Sequence, residues 1–265
     1  LADCDVDAAD LHLVLEPKIL EQHEFSGGKK AEIINEKCGN CGDCLSLCRF
    51  SAITKKSNNL TQEDNYTINP IACEGCGVCA WFCPDNAIEF KGAINGTWFI
   101  SNTRYGPMVH AKLGIAEENS GKLVTLVRNT AKKIAEKEHR DIVIVDGSPG
   151  IGCPVIASIT GADLVLIVTE PTLSGEHDLE RVTELAQHFK IPAIICINKS
   201  DLNPAISNRI VKNARAKGYS SVGNIRYDKM VTKAQIAKAA VVEYTNLPIA
   251  EDIISIWKNV LTKLE

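Results

Sequence analysis

Apolar residues fall along this chain in two kinds of run. One kind is short and continuous, as at 141–146 (Asp-Ile-Val-Ile-Val-Asp), 163–169 and 193–198. The other recurs every three or four positions, as at Leu123, Leu126, Val127, Ile134 and Ala135. Continuous Val/Ile runs predict strands buried on both faces, whereas the three-to-four spacing predicts amphipathic helices. A helix capped by Ser120 is expected through the second pattern, with further helices around 177–189, 205–217, 229–242 and 251–264. A short strand is expected at 97–101. Buried strands alternating with helices predict an α/β fold, with a mostly parallel sheet in a three-layer domain.

The pattern breaks between about 31 and 91, where little could form a core and cysteine dominates. Upstream of it, the apolar stretch 11–15 is stopped by Pro17, and Ser26-Gly27-Gly28 reads as a turn. The expected organisation is therefore an α/β domain made of 1–30 and 92–265, interrupted by a small α+β domain at 31–91. Composition narrows the class. In 265 residues, 45% hydrophobic, no uncharged apolar run is long enough for a membrane span. Nor does a basic, then apolar, then small-residue start occur that would predict a secretory leader. The net charge is −4 with no basic tract, which argues against nucleic acid as a partner. Eleven cysteines, eight of them between 38 and 83, indicate metal ligation in a reducing, cytoplasmic compartment, not disulfides.

Those eight form a repeat. Cys38, Cys41, Cys44 and Cys48 follow C-x2-C-x2-C-x3-C, and Cys73, Cys76, Cys79 and Cys83 repeat it 35 residues later. Gly42 matches Gly77, and Ala52-Ile53 matches Ala87-Ile88. Zinc is the main alternative, but tetrahedral zinc sites usually pair two separated CxxC units. The run resembles that of bacterial two-cluster ferredoxins, in which the fourth Cys of each run serves the other cluster. That resemblance implies two 4Fe–4S clusters, one on Cys38, Cys41, Cys44 and Cys83, the other on Cys73, Cys76, Cys79 and Cys48. One departure is that Pro84 follows Cys83, whereas Arg49 follows Cys48.

The remaining zones carry acids at strand ends. Asp3-Cys4-Asp5 resembles the D-x-D, and 146–152 (Asp-Gly-Ser-Pro-Gly-Ile-Gly) the Walker-B and switch-II segment, of the MinD/ParA-type P-loop ATPases. The segment 163–171 resembles their next strand, and Asn198-Lys199-Ser200-Asp201 their base-contacting turn. Arg104-Tyr105-Gly106-Pro107 and 118–124 are similar to the branch that carries an inserted ferredoxin domain. The resemblance implies a P-loop NTPase-like fold that binds ATP and Mg²⁺. Asp146 would take the metal, Asp5 would orient the attacking water with Asp3 a weaker candidate, Gly150 would approach the γ-phosphate and Asn198 the base. N-K-x-D also serves guanine recognition in many GTPases, so GTP is the competing nucleotide.

No G-x-x-x-x-G-K-[ST] run occurs, so residues 1–265 alone are expected to bind and turn over nucleotide poorly. Cys4 and Cys196 read as packing thiols, Cys153 as a packing or switch thiol rather than a cluster ligand, and His110 and His177 as non-ligands. The resulting expectation is an iron–sulfur protein coupling ATP to electron transfer or metallocluster assembly on a partner protein. A homodimer, or a heterodimer with a paralogue, is expected. The competing reading is a regulatory or positioning ATPase whose clusters are structural or redox-sensing. Its membrane-bound form is disfavoured, because Lys258 and Lys263 are the only cations of the last helix. A third reading, an amide-forming synthetase, would need a glutaminase domain for which these residues leave no room.

Overall fold

The computed structural model describes residues 1–57, 64–114 and 121–264, in two compact units. One comprises Leu1–Glu21, Phe99–His110 and Ser120–Glu265; the other comprises Gln22–Trp98 and Ala111–Asn119. The second is wider than 31–91. Strand Gly28–Ile33 pairs antiparallel along its whole length with Ile88–Ala93, which carries the unit beyond the cysteines on both sides.

In chain order the elements begin with β1 (Ala2–Asp3), α1 (Leu11–Leu15), β2 (Lys18–Phe25) and β3 (Gly28–Ile33). The cysteine segment adds α2 (Asp43–Leu47), β4 (Ile53–Ser57), β5 (Asp64–Ile68), α3 (Val78–Trp81) and β6 (Ile88–Ala93). Then follow β7 (Gly96–Thr103), β8 (Gly106–Leu113), α4 (Lys122–Lys137), β9 (Val145–Asp146), α5 (Cys153–Ile159) and β10 (Val165–Thr169). The chain closes with α6 (Leu173–His188), β11 (Ala193–Ile197), α7 (Pro204–Ala216), β12 (Ser220–Asn224), α8 (Met230–Ile236), α9 (Val241–Tyr244) and α10 (Pro248–Leu264).

The α/β class is as expected, but its strands form two sheets. One has the order β2-β7-β8-β1-β9, with β1 parallel to both β8 and β9; the other is the parallel β10-β11-β12. Of the three continuous apolar runs, burial on both faces holds only at β11, whose Ile194, Ile195, Cys196 and Ile197 are all buried. One face packs under α6 and α7 through Leu179 and Ile210, the other under α10 through Ile256 and Val260. At β9 and β10 the expectation fails. Ile142 and Ile144 ahead of β9, and Leu166 and Val168 in β10, are exposed, each pair two apart on a side that the described residues leave uncovered, whereas Ile167 on the other face of β10 is buried. The expected strand 141–146 shrinks to Val145–Asp146, since the short β1 pairs only those two residues.

Local chemistry sets the helix starts. Thr172 caps α6 by accepting from the Gly175 amide at 2.9 Å, and Asn203 caps α7 ahead of Pro204. The helix expected at 229–242 is two, α8 and α9, separated at Lys238, which adopts a left-handed φ of 55°. Ser120, the expected cap of α4, lies outside the described residues, as do positions 118 and 119. At the β7–β8 turn, Arg104 donates to both carboxylate oxygens of Glu243 (2.9 and 2.7 Å) and to the Val14 carbonyl. Those bonds hold the Glu243 carboxyl down to about 2. Arg104 is thus a clamp between segments of the first unit.

Candidate functional site

The cysteine unit is built twice from one plan. Asn40 and Gly75, Gly42 and Gly77, and Ser51 and Asn86 are pairs 35 residues apart with left-handed φ of 59° and 63°, 80° and 78°, 52° and 50°. The Ile34 amide donates to Ala87 and the Asn69 amide to Ala52, both at 2.7 Å. The left-handed residues turn the backbone back on itself so that thiols three apart face one space. At Gly75 the fit is tightest, since a Cβ there would stand 2.1 Å from the Lys29 carbonyl oxygen. Gly75→Ala therefore combines backbone strain with a clash against main chain. It should cost about 2–4 kcal/mol, read as a drop in melting temperature with a parallel loss of bound iron.

The eight sulfurs surround two cavities. Cys38, Cys41, Cys44 and Cys83 line the first, about 330 Å³ of empty space open to solvent, with Tyr66, Ile33 and Ala87 behind them. Cys48, Cys73, Cys76 and Cys79 line the second, about 370 Å³, backed by Ile53, Ile68 and Phe50. All eleven cysteines are free thiols. Among the described residues no three His, Cys, Asp or Glu side chains are grouped tightly enough for one metal ion. The sulfurs ring a space, as a multi-atom cluster needs, and four thiolates are the donor set of a 4Fe–4S cluster. The residues fit that group. Burial, with the neighbouring cysteines adding to it, pushes the Cys44 and Cys79 thiols above the ordinary cysteine value. A bound metal charge offsets that cost by stabilising the thiolate.

The strand-end acids lie in the other unit. Asp3 and Asp146 are register partners on parallel strands, and the Cys4 amide donates to the Asp146 carbonyl at 2.8 Å. Asp3 is 1% exposed, and neither of its carboxylate oxygens has a hydrogen-bond partner. Burial first, then Asp146 and Asp5, push its carboxyl up to about 7; the Asp5 amide is near enough to offset this in part but does not reach hydrogen-bonding geometry. Asp146 and Asp5 are raised as well, chiefly by desolvation and then by neighbouring carboxylates. A buried carboxylate without donors, beside two more acids, is a place where a cation lowers the energy. Sequence reasoning ranked Asp5 ahead of Asp3; burial, which the sequence does not display, singles out Asp3.

Around these acids the loops are tied together. Ser148 donates to the Cys4 carbonyl at 3.0 Å and lies close enough to Asp5 to restrain its carboxyl. Gly150 has φ 91° with nothing within 4 Å of a Cβ position, so its backbone is open to approach. At the end of β11, Asn198 Oδ1 accepts from the Lys199 amide at 3.0 Å, and Lys199 takes a left-handed φ of 52°. Lys199 Nζ pairs with Glu170 at 2.6 Å, and Asp201 Oδ1 accepts from the Tyr227 amide at 2.7 Å. One oxygen of Asp201 is therefore already engaged by the loop after β12. Cys4 and Cys196 are buried thiols raised by desolvation to about 12 and about 11, whereas Cys153 is exposed. His110 Nε2 bonds to Ser101 at 2.9 Å, and His177 is exposed.

Comparison with known proteins bears first on the cysteine unit. Residues 37–87 match the 4Fe-4S dicluster domain family, so this segment is an iron–sulfur domain. The protein MJ0578 of Methanocaldococcus jannaschii is 35% identical over 201 residues, 76% of this chain and 67% of its own length. The chain belongs to the MJ0578 family. A second protein of that organism, MJ0579, is 28% identical over 220 residues, 81% of this chain and 75% of its own. Among solved structures, the MinD cell division protein of Aquifex aeolicus aligns with a TM-score of 0.47 and 16% identity, covering 62% of this chain and 69% of that one. No helix among the described residues is long and apolar enough to cross a membrane.

Proposed function

We propose that this protein is a two-cluster electron carrier whose α/β unit, when completed by a phosphate-binding loop that residues 1–265 do not contain, binds a Mg²⁺-nucleotide and couples it to electron delivery. The observation that carries the proposal is the pair of cavities, each ringed by four free thiols drawn from both cysteine runs. Cys38, Cys41, Cys44 and Cys83 would hold one 4Fe–4S cluster, and Cys73, Cys76, Cys79 and Cys48 the other. When bound, such a cluster supplies a one-electron store. The Ile, Ala, Phe and Tyr walls make one side of each cavity apolar, which helps to set its polarity.

In the α/β unit, Asp146 and Asp3 would hold Mg²⁺, directly or through water, and Asp5 would orient a water molecule. Gly150 would bring its amide to a phosphate, and Asn198 would contact the base. The tie from Ser148 to the Cys4 carbonyl joins the loop after β9 to the loop after β1, so a ligand that moves one moves the other. We assign ATP rather than GTP, because one oxygen of the Asp201 carboxylate that would read guanine already accepts from the Tyr227 amide in the loop after β12. The expected result is tighter binding of Mg-ATP than of Mg-GTP, with Asn198→Ala costing about tenfold in affinity, one hydrogen bond's worth. Tighter GTP binding in calorimetry would reverse the assignment.

The delivered electron would go to a partner redox enzyme or to a metallocluster-assembly step. Two relatives in one organism, MJ0578 and MJ0579, support pairing of this chain with itself or with a paralogue. Coupling itself is tested by reducing the clusters and following their reoxidation with and without Mg-ATP. A changed rate or potential is expected. An unchanged one, in protein that binds ATP, would instead favour a regulatory ATPase with structural clusters.

A further inference from the structure

We infer that the two cysteine sets hold their clusters at unequal potentials, and that Asp43, Asp85 and Arg49 set the order. The inference rests on the dicluster reading above and extends it to the direction in which an electron settles. The internal repeat provides the control, because positions 35 apart occupy equivalent places around the two cavities. Asp43 and Asp85 both line the first cavity; their equivalents at the second, Val78 and Phe50, are uncharged and line it too. Glu74 lines the second cavity, and its equivalent at the first is Gly39. Arg49 stands between Cys48 and Phe50, both of which line the second cavity, whereas the equivalent Pro84 lines the first.

At these four pairs of positions the first cavity is therefore lined by two carboxylates and the second by one, with the exposed Arg49 between two residues that line the second. Carboxylates disfavour an added electron and cations favour it, an effect that salt screens. One contact opposes this order: the Ala87 amide donates to Cys83 Sγ at 3.3 Å, which favours the reduced state at the first cavity. In the proposed order the extra lining carboxylate at the first cavity and the Arg49 guanidinium beside the second together outweigh that one neutral dipole. The apolar Phe50 and Val78 walls oppose the charges, because low polarity disfavours the more negative reduced cluster at the second cavity, and the proposed order is the one the charges set. The electron settles on the side of Cys48, Cys73, Cys76 and Cys79. Asp85 has a second task, since its Oδ2 accepts from the Gly39 amide at 2.9 Å, so Asn is the substitution that keeps an acceptor there.

The test is EPR-monitored potentiometry of the anaerobically purified full chain, with iron analysis of every sample. Two separate one-electron waves are expected, apart by at least a tenfold partition of the electron, which is about 59 mV for one electron. Asp85→Asn and Asp43→Asn should each raise only the lower wave, and Arg49→Gln should lower only the upper one. Each shift should be about threefold in partition and should shrink in high salt. Unseparated waves would overturn the inference, as would Asp85→Asn moving the upper wave or Arg49→Gln moving the lower. Iron far below eight atoms in the unmodified chain would instead overturn the dicluster reading itself. Asp43→Asn, remote from the Gly39 contact, gives the same readout if Asp85→Asn loses iron.

Discussion

Cys48→Ala together with Cys79→Ala should leave about four iron atoms per chain, whereas Cys44→Ala together with Cys79→Ala should leave almost none. The asymmetry follows from the crossed arrangement. Cys48 belongs by sequence to the first run but lines the second cavity with Cys79, so the first double change damages one site only. Cys44 lines the other cavity, so the second double change damages both. If each run served its own cluster, both double changes would strip both sites. Single changes should each halve the iron content. They should also lower the melting temperature, because binding a metal group to a site absent from the unfolded chain contributes directly to folding. The effect should be large in this unit, whose buried side chains are few and small apart from Ile53 and Tyr66. Iron and acid-labile sulfide analysis with EPR of the reduced protein checks the prediction.

The second large effect is expected at Asp3. Its carboxyl is raised from the ordinary aspartate value of 3.8 to about 7, chiefly by burial. Between those two values the unfolded chain has released this proton and the folded chain keeps it. The folded state therefore binds more protons, and stability falls as pH rises from about 4 to about 7. At 1.36 kcal/mol per unit, the loss approaches roughly 4 kcal/mol above pH 7. Asp3→Asn should abolish that slope and be the more stable protein at pH 8, by up to about 4 kcal/mol. Because the native side chain has no hydrogen-bond partner to lose, the substitution removes a charge penalty and breaks no contact. Added Mg²⁺ should raise the melting temperature of the unmodified protein at pH 8 and leave Asp3→Asn nearly unchanged. Melting curves from pH 4 to 8, with and without Mg²⁺, decide it. A pH-independent difference between the two proteins would show that Asp3 is not the titrating group.

Much of this fold was legible because its signals are local. The cysteine spacing and its 35-residue repeat are visible in the bare sequence, and the same offset reappears in paired backbone angles such as those of Gly42 and Gly77. The run Ile194–Ile197 was readable as a buried strand because it sits centrally, where continuous apolar sequence and burial coincide. Ile142–Val145 carries an equally apolar run, yet it borders an unpaired edge and most of it forms no ladder. The number of neighbours a strand has is a property of the sheet, and no window of sequence contains it. The acids show the same limit. Asp3, Asp5 and Asp146 were visible as strand-end carboxylates, but the register that sets Asp3 beside Asp146, and the burial that leaves Asp3 without donors, come from tertiary structure. The engagement of Asp201 by the Tyr227 amide, 26 residues away, was likewise beyond a reading of Asn-Lys-Ser-Asp alone.

The most direct measurement is native mass spectrometry of the anaerobically purified chain, before and after one-electron titration with a low-potential reductant. The expected result is a mass increment of two 4Fe–4S clusters and uptake of about two electrons per chain, reversible on reoxidation. A mass increment of zinc, of a single cluster, or of two clusters that take up no electrons would contradict the two-cluster carrier proposed for this protein.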